Sequence, residues 1–84
     1  MTPLRVYLVE TYTSRSHRDT AAAAAERASA AAATTGRVTY LRTLFLREDE
    51  LCLHLFQSDA LGAVSEVVER AGIAPDRIVE AEQL

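Results

Sequence analysis

Val38 to Phe56, VTYLRTLFLREDELCLHLF, is the stretch whose reading decides the fold. Two apolar runs flank the acidic turn Arg47-Glu48-Asp49-Glu50, and both are rich in the leucine, β-branched and aromatic residues found in strands. The pattern predicts a β-hairpin with strands at Val38–Leu46 and Glu50–Phe56. In the second of these, alternation puts Leu51, Leu53 and Leu55 on one face and Cys52, His54 and Phe56 on the other. The purely aliphatic face is expected to meet the helices.

Upstream, Leu4 to Thr11 reads as a first strand, with Val6, Leu8 and Glu10 alternating against Arg5, Tyr7, Val9 and Thr11. An alanine-rich helix follows from about Arg18 to Thr34, entered through the Ser16–Asp19 capping-box spacing and stopped by Gly36. Ala21, Ala25, Ala28 and Ala32 form its inner face, which lets the helix lie close to a sheet while burying little area. Downstream, Ser58 is the expected N-cap of a second helix with Asp59 in its first turn. Leu61, Val64, Val68 and Ala71 make its apolar stripe, and Gly72 ends it. Arg77 to Glu82 is a short last strand. The order βαββαβ implies one α+β domain over residues 1–84, a four-stranded antiparallel sheet with both helices on one face.

A chain of 84 residues buries only about 60% of its unfolded surface. Its net charge of -3 and scattered arginines lack the clustered basic face that nucleic acid requires. Lysine is absent, a bias to which no function is assigned. One cysteine cannot form an internal disulfide, which fits a reducing cytoplasm. Met1-Thr2-Pro3 does not open a secretory signal, and the alanine run falls short of a membrane span.

With both helices on one side, the second sheet face must be covered from outside. It is expected to carry Cys52, His54 and Phe56 together with either Tyr40, Arg42, Leu44 and Leu46 or Leu41, Thr43 and Phe45, depending on register. An apolar patch of that kind marks an interface, and two such sheets packed across a two-fold axis make a dimeric α/β barrel with a cavity inside.

Tyr7-Leu8-Val9-Glu10, the strand reaching Cys52, and Glu69-Arg70-Ala71-Gly72-Ile73-Ala74-Pro75-Asp76-Arg77-Ile78 resemble the nickel-binding-protein-like family of small bacterial domains. The resemblance spans most of the chain from Tyr7 to Glu80 and implies a ferredoxin-like protomer, a homodimeric barrel and, in some members, nickel held by histidines. Only His17 stands in the segment after the first strand where metal-binding relatives carry histidines, and Ile73 occupies the turn after the second helix where they carry another.

Cys52 and His54, two apart on one strand, offer thiolate and imidazole to a divalent ion such as zinc or nickel, with His17 a further metal candidate and Glu10 a nearby acid. The plainer reading is a small buried cysteine and a hydrogen-bonded interior histidine. A Cys-His nucleophilic pair would need a third group to orient the imidazole, and the spacing reveals none. Tyr7, Glu10, Tyr40, Arg42, Cys52, His54 and Phe56 are the expected ligand-lining set. Three functions stand, in this order: a homodimer binding a small ligand or a metal ion between its sheets; a small cofactor-independent enzyme, monooxygenase- or cyclase-like, using Glu10 or His54 as acid or base; and a purely structural interaction module.

Overall fold

The computed structural model describes residues 3–84. Met1 and Thr2, on which the reading of the amino terminus partly rests, lie outside the described residues. The elements follow the expected order: β1 (Arg5–Tyr12), α1 (Arg18–Ala32), β2 (Val38–Leu46), β3 (Leu51–Ser58), α2 (Leu61–Arg70) and β4 (Arg77–Ala81). The sheet order is β2-β3-β1-β4 with every pairing antiparallel, which is the ferredoxin-like α+β fold. No helix among the described residues is long and apolar enough to cross a membrane.

The face assignment is the reverse of the one expected. Cys52, His54, Phe56 and Ser58 are buried beneath the helices together with Tyr7, Val9 and Val38, whereas Leu51, Leu53 and Leu55 lie half-buried on the open face. Side-chain volume explains the exchange. α1 buries only alanines, at Ala21, Ala28, Ala31 and Ala32, so the space between helix and sheet must be filled from the sheet. Phe56, His54 and Tyr7 fill it, and the Tyr40 ring meets Phe56 edge-on at 5.8 Å between centroids. α2 completes the core with Ala63, Val64, Val67 and Val68, and Leu61, expected inside, is half exposed.

A β-bulge at Leu41 shifts the pairing of β2 with β3 between Tyr40 and Arg42. Before the bulge Tyr40 lies opposite Phe56; after it Arg42 lies opposite Leu55 and Thr43 opposite His54. One extra residue reverses the alternation. Tyr40, Thr43 and Phe45 therefore face the helices, and Arg42, Leu44 and Leu46 face outward, a mixture of the two sets that a regular strand allowed.

The helix ends also depart from expectation. His17 occupies the N-cap of α1 without a side-chain cap, and the Ser16 hydroxyl bonds to that of Ser14 at 3.1 Å instead. Ser58 stays within β3, fully buried, donating to the Arg37 carbonyl at 2.8 Å and accepting from the Ala60 N–H at 3.3 Å. α2 thus starts after Ala60, with Asp59 ahead of it. Gly36 does not adopt a left-handed conformation, and α1 ends at Ala32 ahead of it. Gly72 does, at φ 71°, closing α2 with Gly72 N–H to Glu69 O at 3.0 Å and Ile73 N–H to Val68 O at 3.1 Å. This paired geometry packs Ile73 with Val68 in the core.

Candidate functional site

The bulge and the alternation of β3 build one polar chain under α1. The Tyr40 and Thr43 hydroxyls are 2.7 Å apart, Thr43 Oγ1 lies 2.7 Å from His54 Nδ1, and His54 Nε2 lies 3.6 Å from Cys52 Sγ. Thr11 lies opposite Cys52 on β1, at the far end of this polar chain. His54 is fully buried, and among the described residues no buried side-chain nitrogen or oxygen lacks a partner. Such a network is favourable only when complete, because each unpaired buried group costs about 1–3 kcal/mol.

Burial pushes the His54 pKa down, with the positive charge of Arg27 adding to it, so the imidazole is held neutral. Burial pushes the Cys52 thiol up, partly offset by Thr11. Burial therefore favours the thiol over the thiolate that a nucleophile or a metal ligand uses, and the neutral over the protonated imidazole. Thr43 is the orienting group that spacing alone did not reveal. It reaches His54 only because of the bulge, and nothing in the composition of β2 marks a bulge at Leu41.

The chain ends in a cleft of about 180 Å³ beside α1, lined by Thr11, Thr20, Arg27, Cys52, His54 and Ile73. Arg27 is fixed at its wall by donating Nε–H to the Ala71 carbonyl at 2.9 Å. His17 is exposed at the N-cap position of α1, and among the described residues no three histidine, cysteine or acidic side chains converge as a metal cage.

Of the expected lining set, Tyr7, Tyr40, Cys52, His54 and Phe56 sit beneath the helices, while Glu10 and Arg42 sit on the open face. Glu10 is bound to Arg77 of the neighbouring strand, with Nη2 at 3.0 Å and Nε at 3.2 Å from Oε2. The open face runs in rows across the sheet: Val79-Leu8-Leu55-Arg42 at its centre, Arg77-Glu10-Leu53-Leu44 on one side, and Ala81-Val6-Gln57-Thr39 on the other. Leu51 and Leu46 extend the aliphatic surface towards the turn.

Glu50 is a structural residue that its sequence did not disclose. It is the one described non-glycine residue at positive φ, 51°, and it ties the hairpin turn to the β1–α1 loop. Its carbonyl accepts from the Thr13 N–H at 2.9 Å, and its carboxylate accepts from the Arg15 N–H at 3.1 Å and the Tyr12 hydroxyl at 3.2 Å. The Arg15 N–H is the main reason the Glu50 carboxyl is held below its ordinary range.

The fold and site define a small ferredoxin-like α+β domain with a buried polar chain on one side of its sheet and an uncovered leucine face on the other. No family model, curated protein or solved structure matches the chain.

Proposed function

We propose that the chain works as a homodimer whose two open sheet faces pack together as an α/β barrel and hold a small, mostly apolar ligand between them. The observation that carries this is the predominantly aliphatic surface of Leu8, Leu44, Leu46, Leu51, Leu53, Leu55, Val6 and Val79 on the side of the sheet away from both helices. Both helices lie on the other side of the sheet, so among the described residues no helix covers it.

Four strands ~4.8 Å apart, each contributing about seven residues at ~3.3 Å, present roughly 450 Å² in projection. Two such faces, with their side-chain relief, reach the order of 1,000 Å² in total that a specific interface needs. Glu10 with Arg77 and the exposed Arg42 are the charged groups set into that surface, with Gln57 and Thr39 beside them, and they are available to orient a ligand. The resemblance to the nickel-binding-protein-like domains points to the same pairing. Light scattering at micromolar concentration should give twice the protomer mass, and native mass spectrometry should find a retained small molecule with the dimer. A protomer mass across that range would rule the arrangement out.

A further inference from the structure

We infer that a second binding site lies between α1 and the edge strand β2, on the helix side of the sheet, and that it takes a small organic carboxylate with an apolar or aromatic body. The cleft has a volume of about 370 Å³, at the lower end of the range for small-molecule sites. Its floor is the methyl surface of Ala21 and Ala25, one wall is Phe45, and Arg18 and Arg47 stand at its rim. Phe45 is half-buried and does not belong to the buried core, so its ring is left facing this space.

The charge pattern is the telling feature. Acidic residues outnumber basic ones, twelve to nine, yet no carboxylate lines this cleft while two arginines do. Arg5, Arg15, Arg37 and Arg77 pair with carboxylates, and Arg27 and Arg70 donate to oxygens of the fold. Among the described residues Arg18, Arg42 and Arg47 do neither, and two of these three, Arg18 and Arg47, line this one cleft. Two arginines on one cleft with no carboxylate in its lining favour an anion there, and a bound carboxylate accepts the paired N–H groups that guanidinium presents.

A third donor comes from the buried chain. Thr43 lines the same cleft, and when the Tyr40 hydroxyl and His54 Nδ1–H both donate to its oxygen, its own proton is left to meet a ligand. In that arrangement His54 Nε2 accepts the Cys52 S–H, so both ring nitrogens keep a partner while the Thr43 proton is free for the cleft. The apolar floor selects against a bare inorganic anion.

Benzoate titrated into the ¹⁵N-labelled protein tests this, with benzamide and inorganic phosphate as the uncharged and body-less comparisons. Benzoate should produce saturable amide shifts at Ala21, Ala22, Thr43 and Arg47, with both comparison compounds at least about tenfold weaker. Arg18→Gln and Arg47→Gln, both at exposed positions, should each weaken benzoate by roughly tenfold, the loss of a charge-assisted hydrogen bond. Benzamide or phosphate binding as tightly as benzoate, benzoate shifts on the leucine face instead, no shifts at all, or unchanged affinity in the double variant would each overturn the site.

Discussion

Cys52 and His54 meet through Sγ and Nε2 at 3.6 Å beneath α1, both at most 1% exposed, on the face of β3 opposite its leucines. The pair is thus a neutral, buried hydrogen bond in the core rather than a feature of the open sheet surface.

That state fixes a pH window. The folded His54 pKa is depressed below its ordinary 6.5, so the unfolded chain takes up the proton first and stability is lost as pH falls below about 6.5. The folded Cys52 pKa is raised above its ordinary 9.0, so the unfolded chain ionises first and stability is lost as pH rises past about 9. Urea unfolding across pH should show a plateau between these values. Replacing His54 with Gln should remove the slope just below 6.5 while leaving that above 9. Persistence of the acid slope in that variant would mean His54 is not its source.

Thr43 joins Tyr40 to His54, so the three should act as a unit. Thr43→Val strands the His54 nitrogen and should cost about 1–3 kcal/mol. Tyr40→Phe made in the Thr43→Val background should cost less than in the native protein, by about 0.5 kcal/mol or more, as for groups in one network. Strict additivity in a denaturation cycle would contradict the shared bond.

The close approach of α1 makes Ala28, fully buried, intolerant of volume. Ala28→Leu should cost about 1–3 kcal/mol by overpacking. For a domain of this size that lowers Tm by roughly 4–8 °C per kcal/mol, a shift calorimetry reads directly. The exposed Ala23→Leu should change Tm little, since leucine and alanine are both strong helix formers.

Two glycines with open space around them should behave differently. Gly72 sits at φ 71° and Gly36 does not, although nothing lies within 4 Å of a Cβ built on either. Gly72→Ala should destabilise by about 1–2 kcal/mol through left-handed strain alone. Gly36→Ala should be neutral or stabilising by up to ~1 kcal/mol, because it only restricts the unfolded chain. Equal losses in thermal melts would show that Gly36 is also under backbone constraint.

Element order and type were legible because alternation and three- to four-residue spacing are direct consequences of backbone geometry, and β2 matches its expected span, Val38–Leu46. The face of β3 was not legible. Alternation tells which residues share a side, but polarity favours the wrong one: Leu51, Leu53 and Leu55 make the purely aliphatic side, yet the side with Cys52, His54 and Phe56 is the buried one. The usable signal was volume: an all-alanine inner helix face calls for Phe56, Tyr7 and Tyr40 from the sheet, leaving the leucines outside. The bulge at Leu41 carried no such signal, and with it went the link from Thr43 to His54. In sequence Glu50 is only the end of an acidic turn and the start of a strand, whereas in the structure its positive φ is held by hydrogen bonds from a loop 35 residues away.

The uncovered leucine face remains the central matter. Leu55 lies at its middle, between Leu8 and Arg42, so Leu55→Glu places a charge in the proposed interface while giving it a cross-strand arginine within the protomer. Leu61→Glu makes the same change on α2, where the side chain is half exposed and away from that face. Sedimentation velocity at micromolar concentration is the deciding measurement, with circular dichroism confirming that both variants are folded. The native protein and Leu61→Glu should sediment as dimers and Leu55→Glu as a monomer; a monomeric native protein, or a Leu55→Glu variant that stays dimeric, would contradict pairing through the leucine face.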